Sequence, residues 1–200
     1  FSKKDSFFMN LAFNLARDRS GLTGENPPVG CVIVKNDEII SIGQTGLKGR
    51  PHAEFNAIKS CKKNLKGSTL YVSLEPCTHY GKTPPCSNLI IKSKIKKVVF
   101  SIIDVDNRTK SKSFKILRSK NIKVESGLSK NEGNKIYKPY IFNKFKKLPF
   151  VTGKLAISKD NFIFSKKNPK ITNIYSDKIN HLLRYKNDSI LISSKTLNKD

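Results

Sequence analysis

Four residues in this sequence are of types and at spacings that could do chemistry together: His52, Glu54, Cys77 and Cys86. One imidazole and two thiolates suit a zinc ion, whose charge the thiolates balance. Three protein ligands leave a fourth position for water, which is the arrangement of catalytic rather than structural zinc sites. Glu54 follows His52 by two residues, so on a helix the two side chains diverge and the carboxylate is free to move protons instead of ligating metal. Cys86 falls at a predicted helix start, where backbone amides favour an ionised sulfur. Cys31, inside a predicted strand, and Cys61, late in a predicted helix, read instead as buried apolar residues.

The elements that must position these groups are legible in the hydrophobic pattern. Phe8, Leu11, Ala12 and Leu15 form one stripe of an opening helix over residues 5–17, with Asp5 or Ser6 as its N-cap. Strands over 29–34 and 38–42 flank Asn36-Asp37, a hairpin turn. Pro51 suits the first turn of a helix running to about Lys63, and a strand follows over 69–74. A proline-rich loop, 75–85, empties into a helix over 86–92. Next come a strand over 98–103, a helix near 113–119, a strand near 122–124 and an amphipathic helix over 135–147. This alternation predicts a layered α/β sheet with helices on both faces. At Leu148 the pattern restarts, with a strand over 150–157 and a last helix near 177–185. Domains are therefore expected over residues 1–147 and 148–200, the second too short for an independent core of ordinary size.

Composition narrows the partners. The net charge is +24, but Lys supplies 33 of the 39 basic residues. Base-edge recognition favours the Arg fork, so the charge reads as a solvated, Lys-decorated surface without a nucleic-acid partner. No apolar run reaches the ~18 residues of a membrane span, and the first residues lack a signal-peptide pattern, so the expectation is a cytoplasmic protein with no membrane partner. In that reducing setting, metal binding or burial is a better use of four cysteines than disulfides. A first residue of Phe rather than Met points to a left end that is processed or cut from a longer frame. A homo-oligomer is compatible with everything above.

A His-x-Glu followed by Pro-Cys and a second Cys is the signature of zinc deaminases acting on bases. The runs EPCTHYGKTPPC (75–86), NPPVGCVIV (26–34) and PHAE (51–54) resemble the bifunctional pyrimidine deaminase and reductase family of riboflavin biosynthesis. Eight residues, Thr78 to Pro85, separate the cysteines, as in that family, where most zinc base deaminases have two. The resemblance implies a three-layer, cytidine-deaminase-like domain with a mixed sheet, followed by the incomplete start of a dihydrofolate-reductase-like α/β domain. It implies one zinc ion and, as substrate, 2,5-diamino-6-ribosylamino-4(3H)-pyrimidinone 5′-phosphate, hydrolysed to the 5-amino-uracil product and ammonia. Asn26 would contact the pyrimidine or ribose, and His79 and Lys82 would face the substrate and its phosphate. In the second domain Ala156, Thr196 and Asp200 match NADPH-contacting positions and Arg184 a sugar-phosphate position, while Lys170 stands where the family's cofactor site has Trp.

Other positions also depart from the family. Thr45 replaces a His, Glu25 replaces a Pro, and Asn161 replaces a Gly. Asp104-Val105-Asp106-Asn107 takes the place of an Asp-Pro-Asn-Pro loop, and Ser111 and Ser113 that of two glycines, which removes residues that fix a backbone path. A reductase domain needs about three times the length beyond 148, so this polypeptide alone is expected to deaminate without reducing. Two alternatives remain at this point. One is a zinc deaminase of a transfer-RNA base or free nucleoside. The other is a structural zinc site closed by His79 as fourth ligand, with Glu54 a surface residue.

Overall fold

In strands buried on both faces, alternate apolar side chains supply two separate cores, and that pattern organises this chain. The computed structural model describes residues 1–163, 171–194 and 198. The chain forms two compact units, Phe1–Pro149 and Phe150–Asp200.

The first unit is built on five strands: β1 (Gly30–Lys35), β2 (Glu38–Gln44), β3 (Thr69–Leu74), β4 (Lys97–Ile102) and β5 (Lys123–Ser126), in the order β2-β1-β3-β4-β5. The β1 strand pairs antiparallel with both β2 and β3, while β3, β4 and β5 run parallel. The sheet is therefore mixed. Its helices are α1 (Lys3–Asp18), α2 (Ala53–Ser60), α3 (Cys86–Lys92), α4 (Lys112–Arg118) and α5 (Lys130–Lys146). On one face Cys31, Ile33, Leu70, Val72, Val98 and Phe100 pack with Ala53 and Ala57 of α2, Ile90 of α3 and Leu117 of α4. On the other face Val32, Val34, Tyr71 and Val99 meet Phe8, Met9, Ala12 and Phe13 of α1 and, at its edge, Ile136 of α5. Helices thus cover both faces of the sheet, as the alternation predicted.

The hairpin turns at Asn36 and Asp37, both with positive φ (50° and 63°), the backbone of a type I′ turn. Several expected boundaries move. The N-cap of α1 is Ser2, whose side chain and Asp5 form a reciprocal capping box, so Asp5 lies inside the helix. The N-cap of α2 is His52, with Pro51 before the helix rather than in its first turn, and Cys61 turns extended, which ends the helix at Ser60. The α5 helix starts at Lys130, ahead of the expected 135. Gly43 of β2 lets α2 sit directly on the sheet, since a Cβ there would fall 2.3 Å from the Ala53 carbonyl oxygen.

In the second unit the one helix among the described residues is α6 (Ile174–Tyr185), close to the expected 177–185. The segment expected as a strand over 150–157 is not part of a strand. No helix among the described residues is long and apolar enough to cross a membrane.

Candidate metal centre and its cavity

Two helix starts converge beside the parallel end of the sheet. His52 caps α2 and Cys86 opens α3, while Cys77 lies in the loop after β3. The His52 Nδ1 is 3.5 Å from Cys77 Sγ and 3.4 Å from Cys86 Sγ. All three donor atoms fall within 4.8 Å of one another. Tetrahedral zinc with ordinary bond lengths requires nitrogen-to-sulfur separations of about 3.5 Å, so the spacing of His52 from both sulfurs fits the ion. The Cys86 amide donates to Cys77 Sγ at 3.2 Å, and the Ser87 amide to the Cys77 carbonyl at 3.1 Å, which pins the loop to the helix start.

Electrostatics points the same way. The Cys86 thiol hydrogen-bonded to it, helped by the His52 imidazole, brings the Cys77 thiol down to about 4. Cys86, beside that thiolate and buried, is pushed well up. Without a cation only one sulfur ionises readily, and a divalent metal is what lets both do so. The neighbouring Cys77 sulfur raises His52, with Glu54 adding to the effect and the Arg50 charge opposing it. Glu54 is buried in the first turn of α2, and burial followed by the Cys77 charge lifts its carboxyl to about 7.

The centre opens into a cavity of about 390 Å³, within the range of about 300–1,000 Å³ that holds small ligands. Asn26, His79 and Lys82, the positions that the resemblance placed toward the substrate, all line it. Asn26 donates through Nδ2 to the Gly49 carbonyl at 3.1 Å, which leaves its amide oxygen available. His79 pairs through Nδ1 with Thr109 Oγ1 at 3.2 Å and is not one of the clustered metal donors, which removes the closed structural site from consideration. Ala156 is half-buried in coil and Arg184 is exposed on α6, both in the second unit. Lys170, Thr196 and Asp200 lie outside the described residues.

The sequence reading missed several cavity residues. Lys48 and Arg50 come from the loop before α2, and Asp104, Asp106 and Arg108 from the loop after β4. Tyr140 of α5 reaches Asp104 Oδ1 at 2.9 Å, and burial raises the Asp104 carboxyl. Glu75 is buried and holds the 104–113 segment. Its Oε2 accepts from the amides of Asp104 (3.1 Å) and Ser111 (3.0 Å), and its Oε1 from the amide (3.1 Å) and hydroxyl (2.6 Å) of Ser113. Arg50 carried a usable signal, since an Arg immediately before Pro-His is conspicuous in a chain whose basic residues are mostly Lys. Glu75 carried a weaker one.

A mixed sheet that brings one imidazole, two thiols and a buried carboxylate together beside a small cavity defines a metal-dependent hydrolase of the deaminase type. The family model described as "cytidine and deoxycytidylate deaminase zinc-binding region" matches residues 2–102. The chain is 43% identical, over 68% of its length, to a diaminohydroxyphosphoribosylamino-pyrimidine deaminase of Buchnera aphidicola subsp. Schizaphis graminum, 93% of which is covered. It is 36% identical, over 98% of its length, to riboflavin biosynthesis protein RibD of Aquifex aeolicus, of which 56% is covered. A crystal structure of a diaminohydroxyphosphoribosylaminopyrimidine deaminase/5-amino-6-(5-phosphoribosylamino)uracil reductase from Thermotoga maritima superposes with a TM-score of 0.90 at 38% identity, covering 98% of this chain and 57% of that one. The chain belongs to the zinc-binding deaminase family, in its riboflavin-biosynthesis branch. It spans about half the length of most of the curated relatives it matches.

Proposed function

We propose that this chain hydrolyses the amine of a phosphorylated diaminopyrimidine, giving the 5-amino-uracil product and ammonia in riboflavin biosynthesis, and that the first unit is the deaminase domain. The observation that carries this reading is the trio His52, Cys77 and Cys86 gathered near the buried Glu54, with His52, Glu54 and Cys77 lining the cavity. The names of the relatives and the eight-residue spacing between the cysteines favour this substrate over a nucleoside or a transfer-RNA base.

Zinc held by those three residues supplies, when bound, the Lewis acidity that makes hydrolysis feasible near neutral pH. Glu54 is the proton carrier. It takes a proton from the attacking water as the carbon–oxygen bond forms and passes it to the adjacent ring nitrogen. A second proton, from the new hydroxyl, then goes to the amine as the carbon–nitrogen bond breaks and ammonia leaves. Burial keeps competing water away from the carboxylate, and the loops of Asn26 and His79 orient the ring above it.

The second unit is assigned as the opening part of a reductase-like domain, with Ala156, Lys170, Thr196 and Asp200 toward NADPH and Arg184 toward the sugar phosphate, on the strength of the resemblance. The setting is taken as cytoplasmic, and the Lys-rich surface as solvated rather than bound to nucleic acid. Ammonia release measured separately with the diaminopyrimidine phosphate, with cytidine and with transfer RNA tests the assignment. Release from the first substrate alone supports it, and release only from either of the others overturns it.

A further inference from the structure

Five cations line the cavity: Lys48, Arg50, Lys82, Arg108 and Lys144. Two are already engaged. Arg108 grips the Asp106 carboxylate with Nε at 2.9 Å and Nη2 at 2.7 Å, and Lys144 Nζ stands 3.3 Å from the same group. A phosphate entering there would have to break a two-point ion pair and then face the released carboxylate. The other three have no acidic partner among the described residues, and all three belong to the loops that precede α2 and connect the two cysteines.

Those two loops touch through Arg50. Its Nη1 donates to Thr83 Oγ1 at 2.6 Å, and its Nη2 lies close enough to the other loop that a Cβ on Gly81 would meet it at 3.5 Å. The backbone beneath is fixed by the Gly46 amide on the Pro51 carbonyl at 2.8 Å and by Asn26 on the Gly49 carbonyl at 3.1 Å. Gly49 itself has a φ of 85° and no room for a side chain, since a Cβ would lie 2.5 Å from Asn26 Nδ2. Arg50 is half-buried as a residue, its guanidinium is oriented by Thr83, and most of its donors are uncommitted among the described residues. A planar fork of that kind matches two oxygens of a phosphomonoester better than a lysine does.

We propose that Arg50, oriented by Thr83 and flanked by Lys82, is the residue that recognises the substrate's phosphate, while Arg108 and Lys144 serve to hold the Asp106 wall. This rests on the deaminase reading above for the identity of the substrate, but the phosphate site can be probed without turnover. Lys82 alone would give a phosphate preference that survives loss of the arginine. Recognition by Arg50 makes the preference depend on it.

The test is calorimetric titration of the zinc-loaded chain with ribose 5-phosphate and with ribose, for the unaltered protein and for Arg50→Ala, Arg50→Lys, Thr83→Val and Arg108→Ala, with zinc content and thermal midpoint checked for each. The expected result is tighter binding of ribose 5-phosphate than of ribose, a loss of about 10- to 100-fold in Arg50→Ala, the scale of one charge-assisted hydrogen-bonded contact, and a partial loss in Arg50→Lys and Thr83→Val. In turnover, Arg50→Ala should raise KM by a similar factor with kcat within about threefold. Equal binding of ribose 5-phosphate by Arg50→Ala and the unaltered chain, a larger loss in Arg108→Ala, or no phosphate preference at all would overturn the proposal. Failure of the unaltered chain to release ammonia, with Arg50-dependent phosphate binding intact, would instead count against the deaminase reading and leave the phosphate site standing.

Discussion

Replacing Glu75 by Gln tests whether one buried carboxylate holds the 104–113 wall of the cavity. Glu75 accepts four hydrogen bonds, three from backbone amides and one from the Ser113 hydroxyl. A glutamine has the same shape but one acceptor oxygen. Its best orientation keeps the oxygen on the amides of Asp104 and Ser111 and turns its NH2 to the Ser113 hydroxyl, which can rotate to accept. The Ser113 amide, in a fully buried residue, is then left without a partner. An orphaned buried amide costs about 1–3 kcal/mol, and two further bonds lose their charge assistance at about 1 kcal/mol each. Relief of the buried charge offsets part of this, so the net destabilisation is expected at about 2–4 kcal/mol. For a unit of this size that lowers the thermal midpoint by roughly 5–15 °C. Urea unfolding gives the free energy, and amide hydrogen exchange should show faster opening at Asp104, Ser111 and Ser113 while zinc content stays at the unaltered level. A loss below about 1 kcal/mol with unchanged exchange at those three amides would show that the loop holds itself and that the clasp is incidental.

Further outcomes are expected elsewhere in the site. Glu54→Gln should retain zinc and the fold yet lose at least ~10² in turnover, measured as ammonia release, and preserved turnover would remove the residue from its role. Elemental analysis should find about one zinc per chain, with Cys77→Ser abolishing it, and unchanged zinc in that variant would disprove the ligand set. The Arg108 fork, with Lys144 helping, holds the Asp106 carboxyl below its ordinary value. A carboxylate depressed in the folded state adds stability that is full above the unfolded value of about 4 and fades as pH falls through the folded one. The stability difference between the unaltered chain and Asp106→Asn should therefore narrow on acidification from about pH 7 to pH 3 in urea titrations, and a gap that widens would contradict the pairing.

Much of the first unit was legible because its signals are local. The β3 strand and α3 helix begin and end where the sequence placed them, between turn residues and prolines that cannot continue a strand or helix. The Asn36-Asp37 turn was equally plain, since both residues tolerate positive φ. The start of α1 was misplaced because Ser2 and Asp5 make a capping box, and reading Asp5 as the cap overlooks the serine three residues earlier. The strand over 150–157 failed for a different reason. Its residues have the composition of a strand, but ladder formation depends on pairing across the chain, which a one-dimensional pattern does not specify.

The site divides along the same line. His52, Cys77 and Cys86 could be singled out because metal ligation restricts residue type, and Glu54 with them because the helix starts that carry His52, Glu54 and Cys86 are visible in the sequence. Arg50 and Glu75 left at most a hint of themselves in the sequence, and Thr109 none, because each acts through a partner about thirty or more residues away: Thr83, Ser113 and His79. The 104–113 segment shows why this matters. From its sequence it looked like a loop that had lost the prolines and glycines that set its path. Ser111 still takes the left-handed backbone, with a φ of 59°, that a glycine would adopt without strain. What holds it there is the Glu75 carboxylate, which bonds the Ser111 amide and, through Oε1, a Ser113 hydroxyl that a glycine would not have. A path otherwise fixed by residues restricted within the loop is here fixed by a buried acid from the strand end next door, with Asp106 and Arg108 bracing the turn. The departure that seemed to unsettle the loop therefore supplies part of its own support, and only the three-dimensional pairing reveals it.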